Sequence, residues 1–150
     1  MASKAMDALR LARAFAVGRT AVGAALLVAP GMARAWVGEP ATRPGGKVLT
    51  RALGMRDLAL GVGLLRAVGE AREVGRWLGA GVLADGADLA ATLLAWKRLP
   101  SVGRVGVTAA AASSVGLGLG LAWTLRSARP ADPDPAGRGL GPGAEVPRPC

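Results

Sequence analysis

Three aspartates, Asp57, Asp85 and Asp88, stand near the middle of stretches otherwise long and apolar enough to cross a bilayer. Ionisable groups at that depth are costly, so they mark a functional site or an internal ionic brace. The chain has no His, and its single Cys is Cys150. General acid–base work would therefore fall to these carboxylates, and no Ser or Thr has an evident base to activate it. The cations at similar depth are Arg19, Arg51 and Arg56. Three against three gives formal neutrality, which fits a brace that fixes helix register. A proton, ion or head-group site is the alternative. No catalytic residue, cofactor or metal set is assigned, because two neighbouring carboxylates alone make a poor Mg²⁺ site. Cys150 by itself offers neither a disulfide framework nor a thiolate cluster.

The composition limits what can surround these groups. With 150 residues the chain has room for one domain. Apolar residues make up 51% and charged residues 19%, and the mean hydropathy is +0.36. The apolar residues gather into four blocks instead of an amphipathic spacing, which favours a multi-pass membrane protein over a soluble core. Tyr, Ile, Asn and Gln are absent while Ala, Gly, Arg and Pro abound, as in a high-GC genome, and part of the net charge of +9 follows from that bias. The arginines are scattered and lack an aromatic–basic stacking surface. Their attraction is to anionic lipid head groups and not to nucleic acid.

The blocks run from about Leu9 to Ala29, Val48 to Val68, Trp77 to Trp96 and Val102 to Leu125. Each is close to the ~20 residues that span ~30 Å of hydrocarbon. Nineteen residues separate Trp77 from Trp96, about 28 Å along a helix, which matches the distance between the interfacial belts. Trp123 closes the fourth block and Trp36 follows the first, so all four tryptophans are expected as interfacial anchors. Glu70 to Arg76 and Lys97 to Ser101 are short links, which make successive helices antiparallel neighbours. Gly31 to Val37 fits a turn of interfacial helix, and Gly38 to Lys47 reads as loop. From Ser127 onward the chain is rich in Pro and Gly and is expected to be disordered. Ala33-Arg34-Ala35 imitates a cleavage site, but Arg19 interrupts the first block and more apolar helices follow, so that block reads as a retained span. The basic residues lean weakly toward both termini in the cytoplasm.

Gly81, Asp85, Asp88 and Thr92 recur at i, i+4, i+7 and i+11, on one narrow stripe of the third helix. Gly54, Asp57 and Gly61 share a stripe of the second, with Arg51 at its edge. Glycine on such stripes lets backbones approach closely. The second and third helices are therefore expected to pack through these faces, bringing Asp57 toward Asp85 and Asp88. Arg56 stands about 100° around the helix from Asp57 and is expected to pair with another helix. Gly116-x-Gly118-x-Gly120 in the fourth block reads as close helix packing, since its spacing does not fit a nucleotide loop.

The stretch Arg51-Ala-Leu-Gly54-Met-Arg56-Asp57-Leu-Ala-Leu-Gly61, preceded by Leu-Leu-Val-Ala-Pro30 and Trp36-Val-Gly38, resembles small four-helix bacterial membrane proteins of the DoxX-like kind. In these a first helix ends at Pro before a Trp–Gly turn, and the second carries an Arg–Asp step. The resemblance covers roughly residues 15–125. It implies a fold and a bacterial inner-membrane location and transfers no catalytic residues. Asp85-Gly86-x-Asp88 resembles, over four residues, the aspartate motif of membrane CDP-alcohol phosphotransferases, but the Ala-Arg that should follow is missing.

The expected fold is all-α: a four-transmembrane-helix antiparallel bundle over residues 1–126 with a disordered tail over 127–150. The expected role is that of a non-enzymatic accessory or partner-binding membrane component with an intramembrane Arg/Asp network. Its partners would be membrane lipids and either a second copy of the chain or another membrane protein. Two alternatives stand: a small proton- or cation-coupled transporter using Asp57, Asp85 or Asp88, and a lipid-active enzyme working from the same aspartates.

Overall fold

The computed structural model describes residues 2–127, and every regular element among them is helical. In chain order these are α1 (Ala2–Val28), α2 (Arg34–Val37), α3 (Pro44–Ala67), α4 (Ala71–Leu94) and α5 (Ser101–Ser127). Single 3₁₀ turns lie at Pro30–Ala33, Glu39–Thr42 and Trp96–Arg98. The tail from residue 128 on, expected to be disordered, lies outside the described residues together with Cys150.

Helix ends follow local chemistry more than hydropathy. The long helices begin six or seven residues ahead of their apolar blocks in α1 and α4, because Ala, Lys, Met and Arg are good helix formers wherever they meet water. An Arg76–Glu73 pair at 2.6 Å supports the first turns of α4. Part of the segment expected as loop is helical too, for α3 starts at Pro44, whose fixed φ suits a first helical position. Trp96 falls beyond α4: Leu99, preceding Pro100, is held extended at φ −92°, ψ 150°, and the chain leaves the helix at Ala95. Gly38 ends α2 at φ +77°, a conformation that L side chains rarely adopt.

Helices α1, α4 and α5 are long and apolar enough to cross a membrane, over Ser3–Val28, Arg72–Leu94 and Ser101–Ser127. Helix α3, expected as a fourth such span, is not among them, since Lys47, Arg51, Arg56, Asp57 and Arg66 dilute its hydropathy. Ala8, Ala12 and Ala16 are buried while Leu83, Leu94, Val102 and Trp123 are at least 75% exposed. No more than 22% of any of the three spans is buried. Large apolar side chains left this exposed suit an apolar surround.

Two tight pairs build the bundle, α1 with α3 and α4 with α5, and a thinner α3–α4 contact joins them. Gly23 of α1 lies against Gly54 and Leu58 of α3, and Thr20 and Ala16 against Gly61, so these helices run antiparallel. Trp77 packs on Gly63, and Arg56 meets Asp88, which sets α4 antiparallel to α3. At one end all four long helices close around Ala8, Ala12, Ala16, Leu64, Ala67, Val74, Leu78, Leu121 and Leu125. Toward the other end the short α2 and the flanking turns pack on α5 and α3, and the charged residues Arg19, Arg56, Asp57, Asp85 and Asp88 join the two pairs.

Candidate functional site

Arg19 enters the bundle on the inward face of α1, above the alanine ridge that lets α1 approach α3. Its guanidinium grips Asp85 with both terminal nitrogens: Nη1 donates to Oδ2 at 3.1 Å, and Nη2 donates to Oδ1. Nη2 also reaches Asp57 Oδ1 at 3.4 Å. Arg56 makes the matching fork on Asp88, with Nη1 to Oδ1 at 2.9 Å and Nη2 to Oδ2 at 2.6 Å. Its Nε and Nη2 then donate to Asp57 Oδ1 at 3.3 and 3.1 Å. Planar forks of this kind are the strongest ion-pair geometry that side chains make. The Arg19 and Asp85 side chains are 8% and 9% exposed. Arg56 is more open, at 30%. One connected cluster thus ties α1, α3 and α4 together. The Arg19 guanidinium also lies 5.8 Å from the Phe15 ring centroid, within cation–π range.

The three aspartates named from sequence therefore converge, and Arg19 and Arg56 are the cations that join them. Arg51 does not. It is exposed on the outer side of α3, where its Nε donates to the Leu27 carbonyl at 3.4 Å near the end of α1. A cation there complements the orphan carbonyls of a helix C-terminus. Arg56 pairs with another helix as expected, through Asp88 of α4, and in addition donates to its sequence neighbour Asp57, which was not expected.

The glycine expectations need correction. Gly54 and Gly61 face α1, not α4: a Cβ on Gly54 would lie 2.7 Å from the Gly23 carbonyl oxygen, and one on Gly61 2.7 Å from the Thr20 nitrogen. Asp57 turns off that stripe toward the seam between α1 and α4. Gly81 is buried, and its missing side chain makes room for Arg19, whose Nη1 would lie 2.8 Å from an added Cβ. On α5, Gly118 meets Val82 while Gly116 and Gly120 meet nothing within 4 Å, so only the middle glycine of that run is a packing residue.

Above the cluster lies a cavity of about 510 Å³ between α1, the 30–36 turn and α5. Arg19, Asp57, Asp85 and Asp88 line its floor, and Val22, Leu26, Val107 and Ala110 are among its apolar walls. The rim residues Val22, Met32 and Val102 are each more than half exposed, so the cavity is open at a rim formed by α1, the 30–33 turn and the start of α5. Trp36 lines it too. Trp36, expected as an interfacial anchor, is half-buried, and its Nε1 is sealed without a hydrogen-bond partner among the described residues. Of the other three tryptophans, Trp77 covers Gly63, Trp96 lies under Arg104 at 5.3 Å, and Trp123 is 75% exposed.

Reading the sequence for charge missed these walls. Phe15, Arg19, Val22 and Leu26 follow the same i, i+4, i+7, i+11 rule as the α4 stripe, which would have marked one cavity-facing stripe of α1. Nothing local signals the α5 wall. As for metals, both oxygens of Asp85 and of Asp88 accept from guanidinium forks, which leaves them poor ligands for a hard cation. In comparisons with known proteins, the chain matches no family model, no curated protein and no solved structure.

Proposed function

We propose that this chain is a non-enzymatic, four-helix integral membrane protein of a bacterial inner membrane, and that its role is to hold a small amphiphilic molecule within the bilayer. The observation that carries the reading is a single one: the Arg/Asp cluster forms the floor of a largely apolar cavity that is open at its rim, instead of being sealed in a core. A purely structural brace gains nothing from an adjoining cavity. A binding site needs apolar walls and a few convergent polar groups, and has both. The cluster still braces the fold, since its forks join three helices.

Packing supports a fourth span. Helix α3 lies along α1 from the Gly23–Gly54 contact to the Ala16–Gly61 contact, so wherever α1 sits in a bilayer α3 shares its depth. Two of the charges that lower its hydropathy, Arg56 and Asp57, are ion-paired inside the bundle and do not face the surround singly. The resemblance to DoxX-like proteins agrees with four spans, an even number that would put both termini on one side of the membrane, and the distribution of basic residues leans toward the cytoplasmic one. The transporter alternative shares the cavity and differs only in whether the occupant crosses.

Native mass spectrometry of the full chain released from nanodiscs tests the reading. A retained small molecule is expected on the parent and should be lost in Gly106→Phe, which fills the cavity from α5, where an added Cβ meets nothing within 4 Å. Equal occupancy of both proteins, or none on either, would sink it.

A further inference from the structure

We infer that the occupant of this cavity is an amphiphilic organic monocation, an inference that rests on the cavity being a binding site. It follows from the charges on its floor. Arg19 and Arg56 bring two positive charges to a cluster in which Asp57, Asp85 and Asp88 bring three negative ones. The cation that would have balanced them, Arg51, is committed to the Leu27 carbonyl on the outside of α3, and Arg104 lies over the Trp96 ring.

The unmatched charge has an address. Asp85 and Asp88 each use both oxygens on a guanidinium fork. All three bonds to Asp57 fall on Oδ1. Among the described residues Oδ2 accepts none, and it is not among the sealed, unpartnered polar atoms, so it keeps some accessible surface, on a residue that lines the cavity. A lone negative charge in apolar surroundings is expensive without a counter-charge. An inorganic cation would supply that charge and leave about 510 Å³ of largely apolar space unfilled. A single positive charge carried on an apolar body answers both demands. Phe15 and Trp36 add aromatic rings to the wall, of the kind that hold alkylated cations.

The test uses the full chain in phosphatidylcholine nanodiscs and two probes of equal size and opposite charge, tetraphenylphosphonium and tetraphenylborate. Binding is read by calorimetry as the difference between the parent and Gly106→Phe discs, which removes partition into lipid. The phosphonium is expected to bind at least tenfold more tightly than the borate, and Asp57→Asn to weaken it at least tenfold. Equal affinity for the two ions, preference for the borate, or indifference to Asp57→Asn overturns the inference. If that variant does not fold, the two ions compared on the parent decide. Should neither ion bind while mass spectrometry finds a neutral or anionic molecule retained, the cation inference falls and the binding reading stands. If nothing is retained either, both fall.

Discussion

Arg19 of α1 closes a two-pronged hydrogen-bonded fork on Asp85 of α4, although these helices belong to different tight pairs of the bundle. The fork and its side contact to Asp57 join the α1–α3 pair to the α4–α5 pair where apolar packing between them is thin. Removing one partner of a buried pair leaves an uncompensated charge and costs about 3–5 kcal/mol, whereas removing both can be nearly neutral. Arg19→Leu should therefore unfold at clearly lower SDS fraction than the parent. The double variant Arg19→Leu/Asp85→Leu should recover part of that loss. A double variant less stable than Arg19→Leu alone would contradict the fork as drawn.

Arg51 and Arg56 are five residues apart on α3 and should behave oppositely. Arg56→Ala strips the counter-charge from Asp88 and Asp57 and should cost several kcal/mol, on the scale of breaking a partly buried pair. Arg51→Ala removes one long hydrogen bond at an exposed position and should change stability by no more than about 0.5 kcal/mol. Thermal melts of the two variants in one detergent compare them directly. Equal losses would return Arg51 to the cluster.

Glycine positions on the same protein should divide into two classes. Gly54→Leu must push α1 from α3, because an added Cβ already lies 2.7 Å from the Gly23 carbonyl oxygen. Overpacking of this kind costs about 1–3 kcal/mol or more. Gly116→Ala meets nothing within 4 Å and should be neutral or stabilising, given the roughly 0.8–1 kcal/mol helix-propensity gain of Ala over Gly. Melting temperatures moving the same way in both variants would refute this division.

If α3 crosses the bilayer beside α1, its two ends lie on opposite faces. With Cys150 changed to Ser, single cysteines at Arg43→Cys and Gly69→Cys occupy exposed positions just before and just after α3. An impermeant maleimide added to intact cells should label one of them and not the other. Labelling of both from the same side would leave three crossings and end the four-span reading.

Membrane character was legible in the sequence because hydropathy adds residue by residue. The apolar blocks, with Pro and Gly between them, became helices of which three are long and apolar enough to cross a membrane, and Asp57, Asp85 and Asp88 are conspicuous wherever they fold. Helix ends were less legible, since Lys4 or Arg72 extends a helix past its apolar block without announcing it.

Which ions pair was not in the sequence at all. Helical periodicity fixes the angle of Asp57 about α3, but not whether α1 or α4 lies along the Gly54–Gly61 stripe. Arg19, Arg51 and Arg56 are equivalent as a charge count. Only the packing of α1 into that stripe buried Arg19 against Asp85, left Arg51 on the outside of α3, and changed a neutral cluster into one with a negative charge to spare. The cavity is likewise a property of the gap between α1 and α5, helices far apart in sequence. No local pattern encodes the separation of two surfaces that the rest of the bundle holds apart.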